Sequence, residues 1–121
     1  MNSVELKLRT FRFSLRVMNM TDALPRSRKA MVLSGQVLRS STSIGANYRA
    51  ACRSRSKAEF VSKMRVAEEE ADATVYWLEL IRESGIIKKE RLDALIKEAN
   101  ELTAICTSIG KTTKERYLRK K

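Results

Sequence analysis

At 121 residues and a net charge of +11, the chain has the length of one domain and a strongly basic balance. A content of 43% apolar and 32% charged residues, with four Gly and one Pro, excludes collagen-like, low-complexity and mostly disordered architectures. Histidine is absent, which removes His-based catalysis and the usual zinc ligand sets. No apolar run approaches the roughly 20 residues of a membrane span, and the first turns alternate charge with apolar groups instead of building a signal-peptide core. The expectation is a soluble, cytoplasmic protein with no membrane partner. Cys52 and Cys106 match no metal-ligand spacing and sit on apolar helical stripes, as small buried thiols do.

The first predicted helix carries Val4, Leu8, Phe11, Leu15 and Met18 at helical spacing, which makes this line its expected core face. Asn2 and Glu5 suit a capping box at its start, and Asp22 to Pro25 should break it. A second helix is expected from Pro25–Ser27 onward, with the stripe Ala30, Leu33, Val37, Ile44, Tyr48 and Cys52. Ser56-Lys57-Ala58-Glu59 is a capping box before a third stripe, Phe60, Met64, Ala67, Ala71, Thr74, Leu78 and Ile81, and Gly85 is a natural stop. The fourth stripe is Leu92, Leu95, Ile96, Ala99, Leu102, Cys106 and Ile109, and Gly110 is expected to end its regular face. No strand-period segment competes. Four amphipathic helices with short connections predict an all-α, antiparallel four-helix bundle over residues 1–113, followed by a basic tail over 114–121.

A second apolar line on the first helix, Leu6, Phe13, Val17 and Met20, lies about 180° from the first at 100° per residue. On the third helix Val66, Trp77 and Leu80, with Ala73, also lie away from the main stripe. A helix apolar on two sides is buried on both. These seven large side chains are the expected subunit interface of a homo-oligomer.

Charge is segregated along the chain. Residues 1–55 carry 11 basic and 2 acidic side chains, residues 56–110 carry 8 and 11, and residues 111–121 carry 6 and 1. No acid falls between Asp22 and Glu59. Arg28, Arg39, Arg49 and Arg53 project within one sector of the second helix, opposite Val37. With Lys114, Arg116, Arg119, Lys120 and Lys121 of the tail they form the electrostatic footprint of a polyanion binder, with sequence-independent phosphate contacts to RNA or DNA.

Gln36, Ser40, Ser43 and Asn47 form a polar line beside the second helix's apolar stripe, placed to hydrogen-bond a neighbouring helix. No base accompanies the serines, so they make no catalytic set. The acids Glu68, Glu69, Glu70 and Asp72 lack the Glu-x-x-His partner that bundle di-iron sites use. The chain is expected to be no enzyme and to need no cofactor.

Three segments together resemble a known family: Gln36-Val-Leu-Arg-Ser-Ser-Thr-Ser-Ile-Gly-Ala-Asn-Tyr48, Ser56-Lys-Ala-Glu-Phe60 and Glu69-Glu-Ala-Asp-Ala-Thr-Val-Tyr-Trp-Leu78. They are similar to the four-helix bundle proteins of 23S rRNA intervening sequences, which in turn resemble the accessory variability determinant of diversity-generating retroelements. The resemblance spans nearly the whole chain and centres on Gln36, Arg39, Ser40, Ser43, Ile44 and Asn47. It implies a barrel-like ring of five subunits, and a reverse transcriptase or ribosomal RNA as partner. Ala50 and Ala73 stand where the pattern leads one to expect Glu. Their missing carboxylates free positive charge such as that of Arg49. The alternative function is a protein-interaction scaffold whose basic surface binds an acidic protein partner. A more remote one is a metal-dependent hydrolase or nuclease using the third-helix acids.

Overall fold

The structure, a computed structural model, describes residues 1–119. Four helices account for nearly all of them: α1 (Ser3–Asp22), α2 (Arg28–Cys52), α3 (Lys57–Ser84) and α4 (Glu90–Arg119). Each of the first three starts where a short polar side chain takes up an orphan amide of the first turn. Asn2 Oδ1 accepts the Glu5 N–H at 2.8 Å, Ser27 Oγ that of Ala30 at 3.2 Å, and Ser56 Oγ that of Glu59 at 3.1 Å. At the end of α3, Gly85 takes φ 74°, the left-handed conformation that stops a helix.

Contacts between neighbouring helices run in opposite directions along the two partners, so the bundle goes up, down, up, down. Gly45 faces Thr10, Arg39 faces Glu70, Arg82 faces Asp93 and Arg9 faces Glu98. α2 and α4 each pack on both α1 and α3, whereas the α1 and α3 backbones do not approach closely and stand on the diagonal. The core contains the expected stripes of α2, α3 and α4, including Leu33, Val37, Ile44, Met64, Leu78, Ile81, Leu92 and Leu102. Ser40, from the polar line, lies within it and accepts the Thr74 hydroxyl of α3 at 2.9 Å. Ser43 and Asn47 instead bond carbonyls of their own helix, those of Arg39 and Ser43.

On α1 the two apolar lines exchange roles. Leu6, Phe13, Val17 and Met20 point into the core, with Leu6 2% and Val17 0% exposed, while Val4 is 71% and Phe11 62% exposed. The first four residues are therefore core, not subunit interface. Two contacts select this orientation. Thr10 and Ser14 bring small side chains against Gly45 and Ser41, which lets α1 and α2 approach closely. Arg9 on the flank forms a forked pair with Glu98 of α4, at 2.7 and 2.6 Å. On α3, Val66 and Trp77 are half-buried, Trp77 against the core, and Leu80 is exposed.

Gly110 does not end the fourth stripe's helix, and α4 runs on to Arg119. A Cβ at Gly110 would meet Met64 Cβ at an ordinary 3.7 Å, so the position is one of normal helix packing. Lys114, Arg116 and Arg119 thus stand on the last turns of α4.

Candidate nucleic-acid interface

The alternating helix directions bring the end of α2, the start of α3 and the end of α4 to one pole of the bundle, beside the start of α1. That pole is where the basic residues meet. Residues 49–63 contain Arg49, Arg53, Arg55, Lys57 and Lys63 against one acid, and residues 111–119 contain four basic side chains against one acid.

Between the last turns of α2 and the first turns of α3 lies an open groove of about 580 Å³. Arg49, Arg53, Arg55 and Lys63 line it, with Ala46 and Ala50 as its small wall residues. Its one carboxylate, Glu59, accepts the Arg55 backbone N–H at 3.2 Å and so serves the cap of α3. Among the described residues none of the four cations forms an ion pair, in contrast to Arg9, Arg39 and Arg82 elsewhere on the surface. The amino-terminal end of α3 adds its partial positive charge at the same place. Ala50, the first of the two positions where a Glu was expected, is a wall of this groove, so no side chain there offsets the arginines.

Of the residues singled out in the sequence, Arg49 and Arg53 share this groove, and Lys114, Arg116 and Arg119 are exposed on the end of α4 at the same pole. Arg28 is at the opposite end of α2, about 32 Å away at 1.5 Å per residue. Arg39 lies between them and points to α3, where Nη1 meets Glu70 Oε2 at 3.3 Å. The expected continuous stripe is therefore broken. Lys120 and Lys121 lie outside the described residues. Arg55 and Lys63 complete the groove and were not among the expected contacts, because neither lies on the arginine sector of α2.

The remaining chemistry is sparse. No set of three metal-ligating side chains gathers among the described residues. Cys106 is buried, which pushes its thiol up to about 11 and leaves it a protonated packing group at neutral pH. No described helix is long and apolar enough to cross a membrane.

The fold has known counterparts. Residues 3–108 match the family described as 23S rRNA-intervening sequence protein. The chain belongs to that family. A solved structure with a TM-score of 0.83 and 36% identity covers 92% of this chain and 99% of its own length. It is a protein of unknown function from the S23 ribosomal protein family of Bacteroides thetaiotaomicron. No curated protein matches this sequence. The family match ends at residue 108, so the basic end of α4 lies beyond it.

Proposed function

We propose that this member of the intervening-sequence family is a non-enzymatic, homo-oligomeric accessory protein that binds RNA or DNA through phosphates. The observation that carries the reading is the groove at the α2–α3 junction, where Arg49, Arg53, Arg55 and Lys63 converge without ion-pair partners. Unneutralised guanidinium groups converging on an open groove attract phosphates irrespective of base identity. The end of α4 extends the basic surface beyond the groove, and an oligomer repeats it, raising avidity with no new contact type. The family name supports ribosomal RNA as a ligand. The resemblance to retroelement accessory proteins supports five subunits and a reverse transcriptase as partner.

The test measures binding of the full-length protein to labelled RNA and duplex DNA over a salt series. Wild-type affinity should fall steeply with salt, since each neutralised duplex phosphate contributes about −0.9 to the log–log slope. Arg49→Ala with Arg53→Ala should flatten that slope by about 1.8 if each arginine holds one phosphate. Ala50→Glu, which adds a carboxylate to the groove wall, should weaken binding while leaving the helix intact. Salt-insensitive binding, or none at low salt by the intact assembly, overturns the proposal and puts an acidic protein partner in its place.

A further inference from the structure

The exposed line of α1 borders a second, larger groove, about 760 Å³, between α1 and α2. Leu8, Phe11, Leu15 and Met18 form its apolar side, and Thr42, Gly45 and Ala46 keep the facing surface of α2 low. From Val4 to Met18 the line spans about 21 Å of helix. Five large apolar side chains in one exposed row exceed the scatter normal on a monomer and mark a protein contact. The rim is cationic. Lys7 on one side and Arg49 and Arg53 on the other line the groove, and no acid does.

The complementary surface occurs on the same chain. On the outer face of α3, Glu69, Asp72, Glu79 and Glu83 are exposed at helical spacing around the exposed Tyr76 and Leu80. The Tyr76 ring stands edge-on to Trp77 with centroids 5.0 Å apart, so it projects as a braced knob. α1 and α3 are diagonal in the bundle, which sets the apolar groove and the acidic face on opposite sides of the subunit.

We infer that the α1–α2 groove of each subunit seats the acidic outer face of α3 from a second copy of this chain, Tyr76 and Leu80 entering the apolar trough. The inference rests on the homo-oligomer part of the proposed function and adds which faces meet. It makes the contact heterologous: one face gives and the opposite face receives. Copies therefore add head to tail, closing into a ring where the rotation between them sums to a full turn, instead of stopping at a two-fold dimer. Pairing two grooves face to face would set Lys7, Arg49 and Arg53 of one copy against the same cations of the other, at a cost in like-charge repulsion. Seating α3 replaces that repulsion with an acidic face, in which Glu69 and Asp72 form no ion pair among the described residues while Glu79 and Glu83 share Arg82. Arg49 and Arg53 border both grooves: on their α1 side they meet the seated helix, and on the side shared with Arg55 and Lys63, which do not line the trough, they stay open to phosphate.

A mixing experiment on the full chain separates the possibilities. One variant, Phe11→Glu with Leu15→Glu, spoils only the groove. The other, Tyr76→Lys with Leu80→Lys, spoils only the α3 face. All four residues are exposed, so circular dichroism should show wild-type helicity for both. By light scattering the wild type should be an oligomer and each variant alone a monomer. An equimolar mixture should give a 1:1 heterodimer of twice the monomer mass that grows no further, because the one intact groove and the one intact α3 face of each pair occupy each other and both free faces are spoiled. A monomeric wild type at all concentrations would remove the oligomer reading itself. An oligomeric wild type with an α3 variant that still assembles, or a mixture that stays monomeric, would overturn the face assignment and leave the oligomer standing.

Discussion

Gly45 and Gly35 lie on the same helix and should respond to the same substitution with opposite signs. A Cβ at Gly35 meets nothing within 4 Å, whereas one at Gly45 would sit 2.9 Å from Thr10 Oγ1 and 3.2 Å from Thr10 Cβ. Thr10 cannot turn away at little cost, since its hydroxyl is held by the Leu6 and Lys7 carbonyls, each at 3.0 Å. Relief at Gly45 therefore requires α1 itself to retreat. Overpacking of this kind costs about 1–3 kcal/mol, against a gain of about 1 kcal/mol from replacing a helical glycine with alanine. Gly35→Ala should collect the gain alone. The two variants should thus differ by about 1–3 kcal/mol, or roughly 4–12 °C in Tm for a chain of this size. Urea titrations at one fixed protein concentration measure the difference, and adding Thr10→Ala to Gly45→Ala should recover part of the loss. A Gly45→Ala protein as stable as Gly35→Ala would refute the close approach of α1 and α2.

Two further outcomes follow from the ion pairs. The Arg9 fork holds the Glu98 carboxyl below its ordinary value, chiefly by hydrogen bonding and against a smaller desolvation effect. Its contribution to stability is therefore present above the unfolded carboxylate range and lost as pH falls through the depressed folded value. Wild type should exceed Glu98→Gln in urea midpoint at neutral pH and converge with it in acid, and a constant gap would refute the charge contribution. Arg39 is 58% exposed beside a Glu70 that is 20% exposed. Arg39→Ala should cost less than about 1 kcal/mol and leave the salt slope of nucleic-acid binding near wild type, because Arg39 stands about 15 Å from Arg49 along α2. A slope flattened as much as by the Arg49 and Arg53 changes would return Arg39 to the interface.

Helix number, caps and three of the four core faces were legible in the sequence because each rests on a local signal: a capping oxygen, a stop glycine, a single apolar stripe. The α1 face was not. With Thr10 included, Leu6, Thr10, Phe13, Val17 and Met20 repeat at the same 4-3-4-3 spacing as Val4, Leu8, Phe11, Leu15 and Met18. Two lines of equal period and similar hydrophobicity cannot be ranked by periodicity. What ranks them is non-local: the fit of Thr10 to Gly45 and the reach of Arg9 to Glu98. The consequence is large, since a charge at Phe13 or Val17 now strikes a fully buried position and should unfold the subunit, whereas one at Phe11 meets solvent or a neighbour.

The basic site shows the same division between what lies along a helix and what lies across the bundle. Counting arginines down α2 joins Arg28, Arg39, Arg49 and Arg53, although Arg39 is engaged by Glu70 and Arg28 is a helix length from Arg53. Phosphate binding depends on charges that converge, and in an up-down bundle convergence occurs where helix ends meet. The end of α2 meets the start of α3 across a short turn, and that turn supplies Arg55 and, one helical turn past the Glu59 cap, Lys63. The end of α4 arrives from the other direction. Antiparallel order, which the sequence did reveal, already implies which termini share a pole. Charge patterning becomes informative about function when it is summed over those shared ends, where the paired acids of the bundle's waist no longer reach.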